Sequence, residues 1–151
     1  MIEFKRERIH DLWGELAPLL PEHWREVAYY ADIPLDPDTE RYEAIENAGG
    51  LRCYTARNSG RLVGYAFYFV GPHLHYKGAV VAQQDVLYVE RSHRGGLGLK
   101  LIMWCDEQLR AEHVQVVTHH VKNAPHLNFG PLLKRKGYEP TDTLWSRRLD
   151  Q

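Results

Sequence analysis

The sequence predicts an α/β (α+β) fold: a mixed, mostly antiparallel central sheet flanked by helices, built as one domain over residues 1–151. Three observations carry this expectation. Short apolar runs with strand spacing are interleaved with stretches of helical spacing. Two strand-like runs flank a tight Asn58-Ser59-Gly60 turn, and a third follows them. That third run ends in a glycine-rich turn, from which a new helical pattern starts at once.

Residues 2–6 alternate apolar and charged side chains and fit a short edge strand. From 9 to 30, Leu12, Leu16, Leu19, Leu20, Trp24 and Val27 recur at helical spacing. Pro18 and Pro21 are expected to split this run into two helices, because proline lacks the amide donor and crowds the preceding turn. Residues 33–37 are a loop. Asp38 caps a helix over 39–48, which Gly49-Gly50 stops. Strands follow over 51–57 and 61–70, the second dense in Tyr and Phe, with its core on one face. Residues 71–78 read as an exposed loop and 79–89 as the third strand of the set. Leu101, Ile102, Cys105 and Leu109 mark one face of a helix ending near His113. A strand over 114–121, a helix over 127–136 closed by Gly137, and a final strand pair near 138–140 and 143–149 complete the order.

The turn itself reads Val89-Glu90-Arg91-Ser92-His93-Arg94-Gly95-Gly96-Leu97-Gly98-Leu99-Lys100. A strand, a glycine turn and a helix N-terminus together favour an anion, because unpaired amides point outward and the helix dipole adds positive potential. Arg91 and Arg94 can add charge-assisted hydrogen bonds. A P-loop would need Lys-Ser or Lys-Thr after its last glycine, whereas Gly98 is followed by Leu99-Lys100-Leu101. A dinucleotide-binding turn would need a small third residue where Leu101 stands, and an acidic residue about 20 positions further on.

With Leu101-Ile102 on the following helix, and with the order of elements along the whole chain, the turn resembles the pyrophosphate loop of the GNAT N-acetyltransferases. Arg91 stands at that family's usual proline, and one residue is missing between the glycines. Lys136-Gly137-Tyr138 also matches a frequent family pattern, and residues 33–38 resemble a compact subgroup common in phage and prophage genomes. The resemblance implies transfer of an acetyl group from acetyl-CoA to a primary amine, directly, in a ternary complex. It implies that Arg94, Gly95, Gly96, Leu97, Gly98, Leu99 and Lys100 wrap the pyrophosphate, and that Leu87, Tyr88 and Val89 offer backbone to the pantetheine arm. Leu87 and Val89 should face one side of the sheet and Tyr88 the other.

Asp85 is the first candidate for the base, since many relatives carry a glutamate there and a carboxylate inside an apolar strand needs a reason. His120 is the second, His119 and His120 pointing to opposite faces so that at most one meets the site. Glu22 and His23 lie on the helical segment expected to line the acceptor cleft. The chain departs from the family at Leu133, where relatives often place a general-acid tyrosine. The family's asparagine before the last helix maps ambiguously onto Asn123 or His126. These departures leave open an alternative: a CoA-binding module without transferase activity, acting through protein interaction.

Bulk properties bound the rest. Lys and Arg number 19 and Asp and Glu 20, for a net charge of -1, which argues against nucleic acid as a partner. No apolar run approaches the roughly 20 residues needed to span a membrane, and Met1 to Arg6 do not resemble a secretion signal. The two cysteines, Cys53 and Cys105, read as buried thiols of a cytoplasmic protein. The nine histidines show no familiar metal-ligand spacing, so no metal is expected, although His73 and His75 could touch substrate. The expected partner is a small-molecule or peptide amine; relatives often dimerise, so a homodimer stays open.

Overall fold

The computed structural model describes residues 1–151 and divides them into two compact units, Met1–His120 and Val121–Gln151. The first unit holds a five-stranded sheet of order β1-β2-β3-β4-β5, formed by Ile2–Glu7, Leu51–Asn58, Arg61–His73, Tyr76–Val89 and Val116–Thr118. The first four strands are antiparallel in sequence order, and β5 runs parallel to β4 after a helical crossover.

Helices cover both faces. On one face α3, Leu97–Ala111, seats Leu97, Leu101, Cys105 and Leu109 against Tyr54, Ala56, Val63, Ala66, Tyr68, Ala82 and Val89. On the other, α1, Ile9–Val27, buries Ile9, Leu12 and Leu16 against Leu51, Cys53, Leu62, Tyr65, Phe67 and Tyr88. Each large side chain so buried contributes about 1.5–3 kcal/mol. Alternate residues of one strand supply the two cores, as pleating requires. Next to α1 lies α2, Thr39–Asn47, started by Asp38, whose carboxylate accepts the Arg41 amide at 3.0 Å. Glu46 of α2 accepts the first amide of α1, Ile9 N–H, at 3.1 Å and pairs with Arg8, so each helix fixes the other's end.

The fold departs from several of the elements expected from the sequence. The two prolines do not split the first helix: Pro18 and Pro21 sit inside one continuous α1. Both lie on its exposed side, where the carbonyls they leave unpaired meet water, while the opposite side is anchored at Ile9, Leu12, Leu16 and His23. The loop expected over 71–78 shrinks to a turn at Leu74-His75, because β3 and β4 stay paired through Gly71↔Val81 and Pro72↔Val80. The strand expected over 114–121 is only three residues long. The helix expected over 127–136 narrows to α4, Gly130–Arg135, with Phe129 at its cap. The final strand pair does not form, and residues 138–149 carry no strand. Leu144, Trp145 and Leu149 are exposed, and alternating spacing without a partner ladder does not make a strand.

Candidate active site

The site begins where β4 and β5 part. Their pairing ends at Gln83↔Thr118, and two residues further on His120 N–H bonds to the Gln84 side-chain oxygen at 2.9 Å. Gln84 is buried, and its carboxamide oxygen holds this amide just beyond the last paired residues. From Asp85 to Val89 the edge of β4 turned away from β3 has no strand beside it.

At the same place β4 carries a bulge. Tyr68 pairs with Gln84 and Phe67 with Val86, which leaves Asp85 as the extra residue. Bulges re-aim a side chain, and here the Asp85 carboxylate meets the Tyr42 hydroxyl of α2 at 2.5 Å. Burial pushes the Asp85 carboxyl above the usual aspartate range, against the opposing pull of the Tyr42 hydrogen bond and the His120 charge. The same burial and the neighbouring carboxylate push the Tyr42 phenol far up, so it stays a donor.

His119 and His120 lie just beyond β5 and meet different partners. His120 is exposed, acts on Asp85 and lies 3.2 Å from the Gln83 amide nitrogen. His119 turns the other way: its Nε2 is 3.1 Å from the Tyr68 hydroxyl, and burial lowers its pKa to about 4, so it is neutral at pH 7.

Beyond Val89 the chain makes a short 3-10 turn at Arg91–His93 and enters α3 through Gly95 and Gly96, with φ of 110° and 121°. Only glycine holds these angles without strain. A Cβ at either position would meet nothing within 4 Å, so the turn borders open space. No side chain caps α3, and the first intrahelical bond is Lys100 N–H to Gly96 O, which leaves the Leu97, Gly98 and Leu99 amides without helical acceptors. These amides, with Lys100 exposed beside them, fit a phosphate-bearing group. Gly64 of β3 lets β4 come close: a Cβ there would stand 3.0 Å from the Tyr88 carbonyl oxygen.

Arg94 is engaged from three sides. Its Nε donates to Val89 O at 2.9 Å, its Nη2 meets Glu26 at 2.6 Å, and its guanidinium lies 5.6 Å from the Tyr88 ring centroid. Glu26 also faces Arg91 at 3.7 Å. As expected, Leu87 and Val89 turn toward α3 while Tyr88 joins the α1 face. There it stacks on His23 at 4.8 Å, and His23 Nδ1 pairs with the Tyr65 hydroxyl at 2.8 Å.

The structure thus brings Asp85 and His120 together and adds Tyr42, which the sequence reading missed. Its only signal there is a phenol among the charged residues of a short helix. Glu22 is not joined to this group; it is exposed and paired with Arg25 at 2.8 Å. His23 is a buried packing residue of the α1 face. Asn123 and His126 belong to the second unit, exposed in the turn before α4, and Leu133 is buried. No three His, Cys, Asp or Glu side chains gather as a metal would require, and no helix is long and apolar enough to cross a membrane.

The family model described as Acetyltransferase (GNAT) family matches residues 10–129. No curated protein sequence matches the chain. Among solved structures, the ribosomal-protein-alanine N-acetyltransferase of Brucella melitensis biovar Abortus 2308 is similar over 99% of this chain and 97% of its own, with TM-score 0.68 and 22% identity. The aminoglycoside acetyltransferase meta-AAC0020 from an uncultured soil metagenomic sample, in complex with sisomicin, is similar over 98% and 96%, with TM-score 0.74 and 17% identity. A predicted acetyltransferase with acetyl-CoA from Clostridium acetobutylicum is similar over 99% and 97%, with TM-score 0.72 and 14% identity.

Proposed function

The chain belongs to the GNAT family of acetyltransferases, and from that premise we propose that it moves the acetyl group of acetyl-CoA directly to a primary amine within one ternary complex. One observation carries the reading: the uncapped start of α3 and its open glycine turn adjoin the splayed edge of β4 that bears Asp85. Acetyl-CoA would supply the activated acetyl group as a thioester. The chain would hold it through the Leu97, Gly98 and Leu99 amides, with Lys100 adding charge, and through backbone between Leu87 and Val89.

Asp85 would take the proton of the incoming ammonium. Its raised pKa supports this, because a carboxylate of greater basicity competes better for an amine proton. His120, exposed and within electrostatic reach, is the second proton carrier of the site. Direct transfer is favoured over an acyl-enzyme because both cysteines are buried and desolvation pushes their thiols far up, against thiolate formation. Leu133 leaves no tyrosine at the family's general-acid place, and with the displaced asparagine position this favours a CoA-binding module without turnover. A thiolate, however, leaves readily without protonation. The acceptor class is open; an aminoglycoside and a ribosomal-protein alanine are the acceptors that the names of two neighbours of the same fold give.

Calorimetric titration with acetyl-CoA, with NAD and ATP as controls, tests the cofactor half of the reading. Wild type should bind acetyl-CoA selectively, in the micromolar range. Gly98→Asp should bind at least about tenfold more weakly, roughly 1.4 kcal/mol. The fold should survive, since a Cβ at Gly98 makes only ordinary contact with Val89 at 3.8 Å, and a carboxylate suits a helix N-terminus. Equal affinity in the variant would place the cofactor elsewhere. An amine panel including sisomicin, assayed for release of the free thiol, then tests transfer.

A further inference from the structure

Asp85 has one hydrogen-bond donor, the Tyr42 hydroxyl, and it reaches Oδ2 from a helix that lies 43 residues away in sequence. The tyrosine is itself fixed. Its ring meets Trp13 of α1 edge-on at 5.8 Å and stacks with Phe69 of β3 at 6.3 Å. Three elements therefore aim one hydroxyl at one carboxylate oxygen. The titratable groups facing the carboxylate are the Tyr42 phenol from α2, His120 from the segment just beyond β5 and the Cys53 thiol from β2; no lysine or arginine is among those acting on it. Tyr42 is thus the only fixed dipole that favours its charged form, and burial works against it.

We propose that Tyr42 is a positioning residue for the base: its hydroxyl holds Oδ2 of Asp85 so that Oδ1 is left to accept the proton of the acceptor ammonium. The role rests on the acetyl-transfer reading above. In the step, the N–H bond breaks with its electron pair remaining on nitrogen, an O–H bond forms at Oδ1, and Tyr42 keeps its own proton. The freed lone pair is then available for attack on the thioester carbonyl.

Tyr42→Phe keeps the ring contacts and removes only the donor. Loss of that bond disfavours the carboxylate, so the acidic limb of the kcat/KM profile should move to higher pH. Turnover of whichever panel amine wild type accepts should fall about tenfold near pH 6 and recover to within about twofold near pH 9. Acetyl-CoA affinity should stay within about twofold, and the ¹³C signal of the Asp85 carboxyl should titrate at higher pH than in wild type. In an Asp85→Asn background, Tyr42→Phe should add little, since one role is removed only once. An unchanged profile, or a loss equal at every pH, would overturn the role of Tyr42 while leaving acetyl transfer standing. No turnover by wild type on any amine, with acetyl-CoA bound, would overturn the transferase reading and this role with it.

Discussion

Asp85 shows what the site costs at the scale of one residue. Its pKa is raised in the folded protein, so the neutral form is favoured on folding. The sign follows from linkage: the contribution to stability is intact below the unfolded pKa and is lost as pH rises through the folded one. Near neutrality the ionised carboxylate therefore works against the fold. Asp85→Asn keeps an acceptor for Tyr42 and removes the charge. It should raise the melting temperature at pH 7 by roughly 1–3 °C, with the gain shrinking toward pH 4, while turnover is lost and acetyl-CoA affinity is kept. A variant no more stable than wild type at pH 7 would mean that the carboxylate is better solvated than its surroundings indicate. Gain of stability with loss of activity is the expected signature of a group held for chemistry.

At the scale of the element, the parting of β4 and β5 is the decisive feature. Two parallel strands would continue to pair unless something ended the ladder. Here the buried Gln84 side chain takes the His120 amide, and the bulge at Asp85 turns the strand just beyond. Gln84→Leu has similar bulk and leaves that amide without an acceptor. It should destabilise the protein by about 1–3 kcal/mol in urea titrations, with faster hydrogen exchange at His120. Unchanged stability would show that water replaces the side chain at no cost. The α3 N-terminus follows the same logic: the helix leaves its first amides unpaired, a defect in a structural helix and an asset beside an anion.

Across the whole first unit, one ion network ties α1 to the sheet. Arg57 of β2 donates to Glu7 of β1 at 2.9 Å, to Glu15 of α1 at 2.8 Å and to Gly60 O at 2.7 Å, and Thr55 also bonds Glu7. Burial alone would raise the Glu7 pKa, but Arg57 and Thr55 more than offset this and hold it below the usual range; Arg57 likewise lowers Glu15. Arg57→Met strands two carboxylates. It should cost about 2–3 kcal/mol at pH 7, less than a fully buried network because Glu15 is 44% exposed. Carboxylates with depressed pKa values stabilise above their unfolded pKa and lose that stabilisation as pH falls through the folded one. The gap between wild type and variant should therefore close below about pH 4 in denaturant titrations. A gap that persisted there would assign the loss to packing of the arginine stem.

Local periodicity and backbone freedom were legible along the chain. The strand–turn–strand of 51–70, the strand that ends at Val89, the two consecutive glycines of positive φ and the helix behind them follow from alternation, spacing and the absence of a Cβ. The separation of Leu87 and Val89 from Tyr88 follows from the pleat. Matters of partnership were not legible there, because they depend on contacts between distant segments. Whether prolines break a helix depended on which side faced water, and whether residues 138–149 became strands depended on a neighbouring ladder. Arg94 carries no mark in the sequence of the partner it takes, Glu26, 68 residues away. Tyr42 carries no local mark of its role, because a hydrogen bond across 43 residues exists only once α2, β3 and β4 have packed. Periodicity is a property of neighbours in the chain, whereas the bulge that aims Asp85 and the hydroxyl that receives it are properties of neighbours in space.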